Sequence, residues 1–111
     1  MLVEFQVGNF RSFKEIATFS LVAANLSSKD KELDQNTVFA ADEQLSLLKS
    51  AVIYGANASG KSNLISALRF MRHLVINSSR ESQIGDPIDV EPFRLSEEMT
   101  DKPSFFQIVF Y

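Results

Sequence analysis

Residues 52–63 read VIYGANASGKSN, and this stretch decides the fold. The uncharged run Ala51 to Tyr54 leads into a loop with Gly55 and Gly60 at its ends. Lys61 and Ser62 follow, and an apolar pattern of helical period begins. Gly55-Ala56-Asn57-Ala58-Ser59-Gly60-Lys61-Ser62 has the spacing G-x-x-x-x-G-K-[ST]. Average residue usage produces that spacing by chance in about 0.4% of chains this long, so the match is read as signal. Each residue type has a physical task. The glycines permit a tight loop whose N–H groups point inward and surround an anion. The free N–H groups and positive end of the following helix add to that field. Lys61 would reach β- and γ-phosphate oxygens. The Ser62 hydroxyl would ligate Mg²⁺, a hard ion that prefers oxygen. The alternative is a glycine-containing turn before a helix, with a solvated lysine.

On the C-terminal side, Leu64, Ile65, Leu68, Met71 and Val75 recur at helical spacing, with Arg69 and Arg72 off the stripe. The helix is expected to end near residue 76, because "NSSRESQIGDP" (77–87) is polar and closes on Asp86-Pro87. His73 falls near the expected helix end, where a cation favours the dipole. On the N-terminal side, the run 51–54 suits a strand covered on both faces, as in a parallel sheet. Tyr54 is expected to pack, and "TVFA" and "LSLLKSAVIYG", the second ending in Ala51 to Tyr54, supply short strand-like runs.

At the start of the chain, Val3, Phe5 and Val7 alternate with Glu4 and Gln6, the mark of a half-buried strand. The alternation returns from residue 17: Ala17, Phe19, Leu21 and Ala23 against Thr18, Ser20 and Val22. These runs predict an antiparallel pair joined by "GNFRSFKE", with Phe10 and Phe13 in its core. Residues 25–36 are polar and read as a variable surface loop. "IDVEPFRL" and "SFFQIVFY" read as two more strands separated by a polar turn at Asp101-Lys102-Pro103. Phe106, Ile108 and Phe110 share one face, and Gln107 faces solvent. Glu97 and Glu98 read as a solvated loop or cap.

Composition narrows the classes. The 111 residues suit one domain, and 45% hydrophobic content with ten phenylalanines can build a core. Net charge is −3, against a dedicated nucleic-acid-coating surface. With no cysteine and one histidine, disulfides and Cys- or His-cluster metal sites are excluded. The chain opens without a basic signal-like region. No apolar run reaches the ~18 residues of a membrane span. A cytoplasmic protein without membrane association is expected.

"VGNFRSF" followed by "YGANASGKSNL" resembles the AAA/ABC-type ATPases grouped with the OLD nucleases, SMC proteins and RecF. The similarity is closest to bacterial ATP-binding proteins of the OLD-like subgroup. Asn57 at the third loop position and Asn63 after the serine carry it, while Ala58 departs from the more usual glycine and is expected at negative φ. The resemblance implies an α/β fold: the N-terminal lobe of a P-loop NTPase of the ABC/SMC-head type. That lobe would be a mixed β-sheet with an N-terminal antiparallel strand pair (2–23), a strand–loop–helix unit (51–76) with one Walker A helix, and C-terminal strands (88–111). It implies ATP and Mg²⁺ as cofactors, held by Gly55, Ala56, Asn57, Ala58, Ser59, Gly60, Lys61, Ser62 and Asn63, with Lys61 catalytic and Ser62 on the metal. It also brings Arg11, with Asn9 and Ser12, near the nucleotide. A guanidinium suits phosphate oxygens, although a hairpin arginine facing water remains open.

Hydrolysis of this type uses an apolar strand ending in Asp-Glu and a signature motif. Neither appears in these residues. The chain is therefore expected to be an incomplete lobe. Its partners would be a C-terminal lobe of the same ATPase, a second copy in a homodimer, and DNA or RNA through other domains. The implied role is DNA repair or defence against phage or plasmids. The alternatives are a small P-loop nucleotide or metabolite kinase, and a non-catalytic nucleotide-binding interaction module.

Overall fold

The computed structural model describes residues 1–24, 36–55, 60–81 and 88–111. The expected loop at 25–36 lies, up to residue 35, outside them. β1 (Leu2–Gly8) is the central strand of the larger sheet, flanked by β2 (Ala17–Ser20) and by the last strand of the chain. Its alternation does what the sequence demands. Phe5 and Val7 are fully buried, while Gln6 Nε2 donates to Glu4 Oε1 at 2.9 Å on the opposite face. The β1–β2 pair is antiparallel, with Phe5 opposite Phe19 and Val7 opposite Ala17.

β3 (Val38–Ala40) and β4 (Ser46–Leu48) form a separate antiparallel hairpin. Its turn is held by Asp42, whose Oδ1 accepts from the N–H groups of Gln44 and Leu45, both at 2.8 Å. The hairpin joins the chain leaving β2. Ala23 N–H donates to the Ser46 carbonyl (2.8 Å) and Leu48 N–H to the Leu21 carbonyl (2.7 Å), which buries Leu47.

α1 (Lys61–Glu81) begins where the glycine loop ends; Leu64 N–H donates to the Gly60 carbonyl at 3.1 Å. The helix runs past residue 76, where its end was expected. Residues 77–81 contain no glycine or proline, and Asn77 Nδ2 meets His73 Nδ1 one turn earlier at 2.9 Å. That bond occupies an amide that would otherwise compete for the backbone. It also places His73 in mid-helix rather than near the end. The inward face is Leu64, Ala67, Leu68, Phe70 and Met71, with Ala67 fully buried against Phe5, Val7 and Phe10. Ile65 and Val75, expected on this stripe, are exposed. Ile65 is turned about 100° from Leu64. Val75 keeps the angle but lines an open apolar groove with Ile108 and Phe110.

α2 (Glu97–Thr100) is a single turn that starts at the exposed Glu97 and Glu98, and β5 (Phe105–Phe110) follows. β5 pairs antiparallel with β1, setting Phe106 opposite Val7 and Ile108 opposite Phe5. Phe106 then closes an aromatic cluster with Phe10 and Phe70, at centroid distances of 5.4 and 5.1 Å.

Two expected strands are also absent. Residues 51–54 form no strand and are exposed, Val52 at 84% and Tyr54 at 89%. A strand buried on both faces needs paired neighbours on both edges, and this run belongs to neither described sheet. The expected mixed sheet is therefore antiparallel throughout among the described residues. Residues 88–95 are also not a strand. Pro92 has no N–H to give a ladder, and the segment instead docks on the turn after β1: Arg11 N–H donates to the Glu91 carbonyl at 2.9 Å.

Asn9 holds these pieces together. It is 3% exposed and takes a left-handed conformation, φ 46°, which asparagine tolerates better than most residues. Its Nδ2 donates to the carbonyls of Met99 and Lys102, both at 2.8 Å, and its Oδ1 accepts from Phe93 N–H at 3.0 Å. Its own carbonyl accepts from Ser104 Oγ at 2.6 Å. Asn9→Asp keeps the shape but turns a donor into an acceptor facing carbonyl oxygens. It is expected to destabilise the fold by about 3 kcal/mol, against about 1–2 kcal/mol for Asn9→Ser, which loses the bonds without adding a charge. Urea unfolding midpoints of the two variants check that order.

Candidate functional site

The first turn of α1, the residues just before it and the turn after β1 meet at one place. Gly60 has φ 96°, a conformation that side chains rarely adopt. A Cβ there would also lie 2.9 Å from Ser12 Oγ. Glycine is thus required twice, by its own backbone and by its neighbour. Ser12 Oγ in turn accepts from Asn63 Nδ2 at 2.9 Å, so the turn after β1 is latched to the helix start.

Lys61 folds back, and its Nζ donates to the carbonyl of Gly55. The ammonium thereby ties the two ends of the glycine loop. Ser62 lies exposed on the first helical turn. Ala56, Asn57, Ala58 and Ser59, and with them the expected backbone of Ala58, lie outside the described residues. Tyr54, expected to pack, is exposed, since no strand holds residues 51–54 in a sheet.

Arg11 is also left-handed, at φ 47°. Its guanidinium carbon lies 5.4 Å from the centre of the Phe10 ring, and its Nε is 3.3 Å from Glu91 Oε2. Arg11, Ser12, Asn63, Glu91 and Arg94 line an open cleft of about 460 Å³. The resemblance implied that Arg11 and Ser12 lie near a nucleotide; the structure bonds Ser12 to Asn63 and sets Arg11 in the same cleft. Asn9 does not join them: its amide is used up in the internal bonds described above. Phe10 is buried in the core and Phe13 half-buried, as expected. Glu91 and Arg94 carried no signal in the sequence. They reach the cleft only because the segment around Pro92 docks on the turn.

The cleft can do recognisable chemistry. Guanidinium, amide and hydroxyl groups are donors suited to an anion, and Glu91 is the one acidic side chain among the lining residues. The donor set also fits a magnesium nucleotide. A magnesium ion bound with a nucleotide takes one or two protein oxygens and completes its shell with phosphate and water. Ser62, exposed on the first turn of α1 next to Asn63 but not itself lining the cleft, carries such an oxygen, and no cluster of three His, Asp or Glu side chains that could hold a metal occurs among the described residues. No helix among them is long and apolar enough to cross a membrane.

Residues 50–111 match the family described as "AAA domain, putative AbiEii toxin, Type IV TA system". The matched region starts just before the exposed run 51–54 and takes in the glycine loop, α1 and β5; β1, β2 and Arg11 lie outside it. No curated protein and no solved structure matches the chain.

Gly60→Ala is expected to cost about 2 kcal/mol of stability, because it meets both a positive φ and Ser12. Adding Ser12→Ala removes the contact and leaves the backbone strain, so the double variant should recover only part of the loss. Chemical denaturation of the three variants measures both parts.

Proposed function

The chain belongs to this AAA-domain family of P-loop ATPase-like proteins, and from that premise we propose that it binds ATP with Mg²⁺ through residues 55–62. The observation that carries the reading is the closure of the loop's ends. Gly60 takes a conformation made for glycine, and the Lys61 ammonium lies across to Gly55 at the mouth of α1. An ammonium held on one carbonyl keeps donors for stronger acceptors, and phosphate oxygens are stronger acceptors than a neutral carbonyl. Lys61 would transfer to the β- and γ-phosphates, and Ser62 would hold the metal. Asn63 and Ser12 keep the helix start and the Arg11 turn together, so that Arg11 adds a fixed positive charge. The magnesium ion, when bound, neutralises phosphate charge.

The finer reading is an ATP-binding lobe of the OLD/SMC-like group. Its catalytic aspartate and glutamate would come from a C-terminal lobe, and closure would come from a second copy. The exposed apolar run 51–54 supports a sheet that continues beyond these strands, since Val52 and Tyr54 gain from burial only when neighbours pair with that backbone. DNA repair or defence against phage or plasmids is the role that this group suggests.

Titration of ATP into the wild-type chain and Lys61→Ala tests the reading. Wild type should bind, and Lys61→Ala should weaken binding about tenfold or more, the effect of losing a charge-assisted bond. Ser62→Ala should bind ATP without Mg²⁺ as wild type does and lose the gain that Mg²⁺ brings. Equal binding by wild type and Lys61→Ala, with both folded by thermal melting, overturns the loop as the site.

A further inference from the structure

We propose that Glu91 sets the affinity of this site by competing with the ligand's phosphates for Arg11. The inference rests on the nucleotide-binding reading and adds a residue to it. Three observations converge. Arg11 N–H is bonded to the Glu91 carbonyl at 2.9 Å, so the two residues are fixed side by side by their backbones. Their side chains meet at 3.3 Å through Nε and Oε2 while remaining 37% and 55% exposed. The pair lies in the cleft with Ser12 and Asn63, the two residues that join the turn to the start of α1.

The geometry decides what the pair can do. Arg11 has little freedom to leave: its backbone is held at φ 47° and its guanidinium lies over Phe10. A phosphate entering beside Asn63 meets a cation already engaged by a carboxylate. A guanidinium has five N–H donors, so it can turn part of its fork to phosphate, but a carboxylate next to a polyanion is repelled. Binding therefore exchanges a carboxylate–guanidinium contact for a phosphate–guanidinium contact, and the first is a standing cost on the second. An exposed pair of this kind is weak, so the exchange is reversible and tunes affinity without blocking the site. Glu91→Gln removes the charge and keeps the backbone bond, so the segment stays docked.

The test is a double-mutant cycle on the full chain, with MgATP as the probe and melting temperatures recorded for every variant. Glu91→Gln should tighten MgATP binding about two- to fivefold, the range matching the worth of an exposed pair. The gain should shrink at high salt, where the carboxylate's field is screened. In an Arg11→Ala background Glu91→Gln should give no gain, a coupling that a merely structural glutamate would not show. Unchanged or weaker binding by Glu91→Gln overturns the inference. So does an equal gain with and without Arg11, which would make Glu91 a diffuse negative charge. If wild type binds in a Lys61-dependent manner and Glu91→Gln changes nothing, only this inference fails. If wild type does not bind MgATP, the loop reading fails and this inference fails with it.

Discussion

The buried carboxamide of Asn9 is the constraint on which the arrangement depends. One side chain joins the turn after β1, the segment around Phe93 and the connection from α2 to β5. Its chemistry fixes its orientation. The carbonyl carbons' oxygens at Met99 and Lys102 can only accept, and Phe93 N–H can only donate, so the amide nitrogen must face the first two and the amide oxygen the third. A carboxylate or a hydroxyl cannot supply two donors and an acceptor in that layout. Burial raises the stakes, because a polar group shut away from water must find its partners within the protein.

That node positions the site. With the turn fixed, Phe10 points into the aromatic cluster with Phe70 and Phe106, tying α1 and β5 to β1. Arg11 and Ser12, the next two residues, are then directed to the first turn of α1. The bond from Asn63 and the close approach of Gly60 to Ser12 follow from this one placement. The turn after β1 and the start of α1, far apart in the chain, thereby form one surface, and residue 91 completes it from a third segment. The packing around Asn9 thus sets Arg11 and Ser12 beside the first turn of α1.

Legibility varied with the kind of information each element needed. β1 and β2 were readable because burial on one face writes itself into alternate residues, as Phe5 and Val7 show. The start of α1 was readable because Gly60, Lys61 and the apolar period coincide. The helix end was misread, since a polar composition at 77–81 does not by itself break a helix. Residues 51–54 and 88–95 were misread for a different reason. Both are apolar or mixed runs that suit a strand, yet a strand exists only beside another. For the first no described strand lies alongside; for the second, Pro92 and the bond to Arg11 direct the segment onto a turn.

The sequence alone determined the glycine at residue 60, the lysine and serine that open α1, the half-buried face of β1 and the helix itself. These depend on local backbone freedom, side-chain chemistry and periodicity, all of which reside in neighbouring residues. Only the tertiary structure decided that Asn9 is a buried tie rather than a ligand contact, that Arg11 is engaged by Glu91, and that 51–54 stands outside both sheets. Those outcomes depend on which distant segments share a surface, and on whether each buried donor and acceptor finds its counterpart there.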